Sequence, residues 1–377
     1  MTARRVAVEA LVRIDEGAYA NLVLPLLLER SRLDRRDRAF VTELVYGSTR
    51  MRRACDWLVD RLVDRPLEPE VRAVLRVGAY QLAFLRTPPH ASVSATVDVA
   101  PPRARGLVNA VLRRLAREPA PRWPDPATRL SYPDWIVRRL AADLGVEAGE
   151  AALEQMNAAP PVTERADGYV QDEASQQVAA YVGAAAGERV ADLCSAPGGK
   201  ATAMASDGAA LVVAADVSPS RSRLVAANAA RLGLPNVAVV AADAGSPPVR
   251  PASLDRVLVD APCSGLGVLR RRPDARWRVQ PDDVERLAAL QRRLLDGAAG
   301  LVRPGGLLVY SVCTLTSTET VEVDRWLASA HPDLAAVAPP GPPWAPRGRG
   351  ALLLPQDAGT DGMFVVGLRR RGGGGTT

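Results

Sequence analysis

Val190-Ala-Asp-Leu-Cys-Ser-Ala-Pro-Gly-Gly-Lys-Ala-Thr202 decides the fold. An apolar run ends near Cys194, two adjacent glycines follow, and a helical pattern starts around Lys200. This is a strand, a tight turn and a helix. Glycines let the backbone approach a ligand where a Cβ would collide, and the helix N-terminus behind them offers free N–H groups to an anionic group. The spacing is neither G-x-G-x-x-G nor G-x-x-x-x-G-K-[ST], so the dinucleotide and P-loop fingerprints are excluded. Further apolar runs at 211–215, 237–242, 255–259 and 307–312 alternate with helical patterns. That alternation predicts a doubly wound α/β sheet with helices on both faces.

In such a sheet the residues just past the strand ends line the ligand crevice. Asp216, Asp243 and Asp260 recur at these positions. Asp216, after the second strand, stands where an acid takes ribose hydroxyls, and Asp243, after the third, can accept from an adenine amino group. Two thiols share the same edge: Cys263 in Leu258-Val-Asp-Ala-Pro-Cys-Ser-Gly265 and Cys313 in Tyr310-Ser-Val-Cys-Thr314. Free cysteines are often small core residues. Two at strand ends, downstream of a glycine-rich loop, point instead to covalent chemistry with two thiol roles.

These motifs resemble the Nop/Sun family of RNA cytosine-5 methyltransferases, which use S-adenosylmethionine. The matching stretches are Asp192-Leu-Cys-Ser-Ala-Pro-Gly-Gly-Lys200, Asp255-Arg-Val-Leu-Val-Asp-Ala-Pro-Cys-Ser-Gly265 and Tyr310-Ser-Val-Cys-Thr314. Gly168-Tyr-Val-Gln-Asp-Glu-Ala-Ser-Gln176 and Asp361-Gly-Met-Phe364 extend the likeness across most of 168–370. Nearer the start, Asp37-Arg-Ala-Phe, Leu44-Val-Tyr-Gly, Arg76-Val-Gly-Ala-Tyr-Gln-Leu and Val108-Asn-Ala-Val-Leu-Arg113 are similar to the NusB-like domain of the Sun/Fmu-type bacterial branch. That branch acts on 16S ribosomal RNA.

The resemblance implies a Rossmann-like class I methyltransferase sheet behind an all-α domain, and transfer of a methyl group to C5 of a cytosine. Cytosine C5 is a poor nucleophile. A thiolate adding to C6, with a proton supplied at N3, converts C5 into an enamine-like carbon that accepts the methyl group. The family likeness gives the attack to Cys313 and product release to Cys263. DNA cytosine-5 methyltransferases attack from a Pro-Cys cysteine, which makes Cys263 the rival nucleophile, and spacing does not decide between them. Asp260 is implied to contact the base at N3 and the exocyclic amine, which requires a raised pKa if it is to donate a proton. The implied cofactor site comprises Cys194, Ser195, Ala196, Pro197, Gly198, Gly199, Lys200, Asp216, Asp243 and Asp260. Lys200 is the one lysine among 48 basic residues. A flexible ammonium is not interchangeable with a guanidinium, so Lys200 is expected beside the methyl donor and the base, as a catalytic residue.

Composition is consistent with a cytoplasmic two-domain enzyme that binds RNA. A chain of 377 residues that is 47% hydrophobic can bury full-sized cores. Arg4-Arg5 leads into an amphipathic helix with no signal-peptide pattern, and no apolar run approaches the roughly 20 residues that span a bilayer. Four cysteines (55, 194, 263, 313) and two histidines show no zinc spacing, so neither metal nor membrane is expected, and a monomer is. Residues 1–150 hold 25 Arg and 19 acids, a net of +6, whereas 151–377 hold 23 basic and 23 acidic residues. The excess marks the N-terminal part as the RNA-binding half. The basic run at 269–278, directly after the Cys263 loop, is expected to grip phosphates near the target base.

The expected organisation is a NusB-like domain at 1–125, a linker with short helices at 126–167, the methyltransferase domain at 168–370 and a disordered tail at 371–377. The chain departs from the family pattern in three places. A small mixed α/β subdomain between Pro160 and Gln171 is expected to be absent. Glu319-Thr320 stands where the family tends to place Glu-Asn, and Leu254 where it prefers Phe or Val. The first departure keeps a second reading open: a NusB-type RNA-binding protein whose methyltransferase half is weakened or retargeted to transfer RNA or another RNA. DNA methylation lacks a target-recognition domain in this chain.

Overall fold

The computed structural model describes residues 2–85 and 87–372. The chain divides into two compact units, one formed by Met1–Arg138, Asn157–Ala159 and Leu269–Arg278, the other by Arg139–Met156, Pro160–Val268 and Val279–Thr377. Of the tail expected at 371–377, residues 373–377 lie outside the described residues.

The first unit is helical: α1 (Ala3–Asp15), α2 (Ala20–Arg30), α3 (Arg35–Arg50), α4 (Arg52–Asp60), α5 (Pro69–Ala83), α6 (Pro89–Val97), α7 (Arg105–Leu115) and α8 (Pro126–Leu130). Buried Ala3, Val6, Ala7, Ala10, Leu11 and Ile14 follow the helical period on one face of α1, which packs on α3 and α5. The Asp34 side chain caps α3 by accepting from the Asp37 N–H at 2.8 Å. Buried Arg76 crosses the core on a bidentate pair with Asp56 (3.0 and 2.9 Å) and a third bond to Asp15 (2.8 Å). Cys55 is fully buried here.

The segment Leu269–Arg278 belongs to this helical unit, and part of its basic run is internal. Arg276 is 0% exposed. Its guanidinium lies 3.8 Å from the Tyr132 ring centroid and donates to the Asn157 Oδ1 at 2.8 Å and to the Arg50 and Ser131 carbonyls at 3.3 Å. Burial pushes its pKa down to about 10. The Trp277 indole N–H donates to the Thr49 carbonyl at 2.7 Å. Arg270 is also buried. Buried guanidiniums that satisfy backbone carbonyls do not reach a phosphate, so Arg276 is internal structure, whereas Arg272 of the same segment is exposed.

Helices α9 (Asp134–Leu144) and α10 (Val146–Gln155) follow. Between α10 and α11 (Glu173–Val182) the only pairing is the bridge Glu164–Val170. The α/β core then runs β1 (Arg189–Asp192), α12 (Gly199–Ser206), β2 (Leu211–Asp216), α13 (Pro219–Arg231), β3 (Val237–Ala241), β4 (Leu254–Asp260), α14 (Pro281–Ala299), β5 (Val302–Val312), α15 (Val321–Ala330), β6 (Leu334–Ala336), β7 (Ala345–Arg347), β8 (Gly350–Leu353), α16 (Pro355–Ala358) and β9 (Met363–Arg370). The sheet order is β3-β2-β1-β4-β5-β9-β8-β7, with β6 pairing β9. Strands β1 to β5 are parallel and β9 is antiparallel to β5. Val190, Val257, Leu258, Val309 and Tyr310 are fully buried, as expected where helices cover both faces. This is the doubly wound, Rossmann-like sheet read from the sequence, with β8 and β9 as the closing antiparallel pair.

Candidate active site

One edge of this sheet gathers the chemistry. Asp192, Asp216 and Asp260 are the last residues of β1, β2 and β4, and Cys313 follows β5 at once. Because β1, β4 and β5 are neighbours, the loop before α12, Asp260 and Cys313 come together.

The loop before α12 turns tightly. The Gly198 N–H donates to the Ser195 carbonyl at 2.7 Å, and Gly198 takes φ +108°, a conformation that side chains disfavour. A Cβ on Gly199 would sit 3.0 Å from the Gln171 amide and 3.2 Å from the Tyr169 ring, a tight fit. Asn228 and Arg221 donate to the Pro197 and Ala196 carbonyls at 2.9 and 3.1 Å, fixing the loop from α13.

The Lys200 ammonium, 8% exposed, donates to the Asp260 Oδ2 at 2.7 Å. Burial alone would lower its pKa, but the charge and hydrogen bond of Asp260, with Asp192, raise it overall. Sequence alone predicts a held proton on Asp260. The structure gives that carboxylate the ammonium of Lys200 as a partner, and a second acid, Asp192, lies close by. Asp192 is 1% exposed, and burial, then the charge of Asp260, push its pKa up to about 7. Sequence reasoning missed this raised pKa, although Asp192 opens the quoted motif.

Asp216 is buried, accepts from the Ser218 N–H at 3.0 Å and pairs with Arg221 at 3.4 Å. Asp243 is more exposed, and both its oxygens meet Arg293, at 2.7 and 3.2 Å. The Arg293 hydrogen bond lowers its pKa. Cys194 sits beside the loop, where burial and the surrounding acids push its thiol up. Cys263 and Cys313 lie with their sulfurs 3.3 Å apart. The hydrogen bond with Cys313, and then burial, hold the Cys263 pKa well above the usual thiol range, so Cys263 keeps its proton. Both thiols remain partly exposed.

The residues fit S-adenosylmethionine. The buried Ser195 Oγ and Asp192 Oδ1 have no hydrogen-bond partner among the described residues, and a buried polar atom needs one. Asp216 ends the second strand of the sheet, where an acid commonly meets ribose hydroxyls. Among the described residues no group of side chains could hold a metal ion, and no helix is long and apolar enough to cross a membrane.

Fold and site together define a methyltransferase that uses S-adenosylmethionine. The chain belongs to the 16S rRNA methyltransferase RsmB/F family, whose profile matches residues 180–369, and the NusB family matches residues 1–117. The Ribosomal RNA small subunit methyltransferase B of Thermus thermophilus is 40% identical over 98% of both chains. The enzyme of the same name from Pseudomonas putida is 33% identical over 98% of both. The crystal structure of the protein PH0851 shares the fold, with a TM-score of 0.80 over 98% of both chains at 22% identity. The chain is therefore an rRNA methyltransferase with a NusB-like N-terminal domain.

Proposed function

We propose that this enzyme methylates C5 of a cytosine in 16S ribosomal RNA through a covalent adduct between Cys313 and C6. The observation that carries the reading is the pair of thiols 3.3 Å apart, beside the Lys200–Asp260 pair, at the ends of β4 and β5. A single nucleophile would not call for a second thiol held against it.

Ser195, the backbone of 196–199, Asp216 and Asp243 would hold S-adenosylmethionine, which when bound supplies an electrophilic methyl group. Cys313 adds through its sulfur to C6, while Lys200 delivers a proton at N3 and Asp260 accepts from the exocyclic amine. Electron density moves to C5, which takes the methyl group. In the second half the C5 proton leaves to water, the S–C6 bond breaks as the N3 proton returns to Lys200, and Cys263 passes its proton to the departing Cys313 sulfur, taking it back once the product has left so that Cys313 is again a thiolate. Positioned proton transfer of this kind contributes about 10²–10⁴-fold. The net charge of +6 in residues 1–150 supports a division of labour in which the helical part holds RNA and residues 168–370 carry the chemistry.

The test is methylation of 16S RNA by the purified protein, mapped by bisulfite sequencing. The expected result is one protected cytosine, lost in Cys313→Ala. Methylation at any atom other than cytosine C5 would overturn the reading.

A further inference from the structure

Glu319 lies in the turn before α15, is 0% exposed, and takes no part in the chemistry above. Its carboxylate gathers donors from both thiol loops. Oε1 accepts from the Ser264 N–H at 2.8 Å and from the Gln291 amide at 3.1 Å. Oε2 accepts from the Ser264 hydroxyl at 2.5 Å and the Thr316 hydroxyl at 3.0 Å. The Thr314 hydroxyl has one proton, which it gives either to Glu319 at 3.2 Å or to the Ser264 Oγ at 2.8 Å. Ser264 follows Cys263, and Thr314 follows Cys313. The Tyr310 hydroxyl donates to the Glu319 carbonyl at 2.6 Å, fixing the backbone of the turn as well.

We infer that Glu319 is the positioning residue that sets the separation of Cys263 and Cys313. The two loops leave adjacent strands, and the backbone joins them at the Gly267 N–H and the Cys313 carbonyl, 3.0 Å apart. That bond lies four residues past Cys263 and does not by itself fix the sulfurs. A carboxylate is acceptor-only when ionised, so it can draw donors from both loops at once with no proton of its own to place. Hydrogen bonds to a charged group are about twice as strong as neutral ones. Glutamine has the same shape but presents an NH₂ to hydroxyl protons, so it cannot replace the bridge. This inference rests on the proposed function only for the roles of the two thiols.

The experiment uses the spacing itself as the readout. An azodicarboxamide oxidant converts two neighbouring thiols into a disulfide, taking both thiol hydrogens and two electrons onto its N=N bond to give the hydrazine. With the full-length protein, peptide mapping should find a Cys263–Cys313 disulfide with a 2 Da mass loss. In Glu319→Gln its formation should be at least tenfold slower, while a monofunctional maleimide alkylates each thiol at the wild-type rate. The turnover number for RNA methylation should fall at least tenfold, with KM for S-adenosylmethionine within twofold. The double variant Ser264→Ala/Thr314→Val keeps Glu319 but removes its hydroxyl links, and should also slow the disulfide should Glu319→Gln not fold. An unchanged disulfide rate in a folded variant overturns the inference, as does failure of the wild-type pair to oxidise. Slowed pairing in a protein that never methylates cytosine C5 would leave the inference standing and remove the proposed function.

Discussion

The ammonium of Lys200 donates to the carboxylate of Asp260 at 2.7 Å, joining the loop after β1 to the end of β4. The ammonium keeps two further N–H groups for the base or the cofactor. Lys200→Met is expected to lower the turnover number by about 10²–10⁴-fold, the range for a lost proton donor. Lys200→Arg should do nearly as much, because a planar fork does not reproduce a point charge in a buried slot. Steady-state kinetics on both variants check this, and an Arg variant with wild-type turnover contradicts it.

Asp216→Ala is expected to weaken S-adenosylmethionine binding by about 1–3 kcal/mol, the range for leaving buried polar partners unmet. Asp243→Ala should cost less, since Asp243 is more exposed and its oxygens already serve Arg293. Calorimetric titration of the cofactor into each variant gives the comparison. The reverse order would exchange the two roles.

Asp192 makes stability depend on pH. Its folded pKa of about 7 stands above the ordinary aspartate value of 3.8. The folded state therefore binds the proton more tightly, which favours folding at low pH, and that advantage is lost as pH rises from about 4 through about 7. Asp192→Asn removes the charge, so its melting temperature relative to wild type should rise between pH 4.5 and pH 8. Thermal unfolding at the two values measures it. A difference that is flat or falls with pH would place the proton elsewhere.

RNA affinity should depend on salt through exposed arginines of the helical unit rather than through the buried Arg276. Arg32, Arg35 and Arg36 are exposed, whereas Arg276 is fully buried. The slope of log K against log salt is about −0.7 per phosphate contact on single strands. Arg32→Gln/Arg35→Gln/Arg36→Gln should reduce it by up to about 2. Arg276→Gln should lower the melting temperature and leave the slope intact. Filter binding across a salt series, with thermal unfolding, separates the two.

The sheet and most of the site were legible because their signals are local. Short apolar runs ended in Asp192, Asp216, Asp260 and Cys313, and a strand followed by Pro-Gly-Gly-Lys fixes a turn whatever surrounds it. What was not legible depends on distant partners. The burial of Arg276 is hidden in a run expected to grip phosphates, since nothing nearby in sequence shows that the Arg50, Ser131 and Thr49 carbonyls await Arg276 and Trp277. The raised pKa of Asp192 is hidden for the same reason, because it comes from burial and from the charge of Asp260 on another strand. The role of Glu319 was not legible, because its donors come from three separate segments.

The central claim is that Cys313 attacks and Cys263 releases. The most direct measurement is incubation of Cys263→Ala with 16S RNA and S-adenosylmethionine, followed by a denaturing gel and mass spectrometry of the RNA-linked peptide. A slow-migrating covalent complex is expected, with the RNA attached through Cys313 and a methyl group on the linked cytosine. The same complex accumulating in Cys313→Ala, attached through Cys263, would contradict the account.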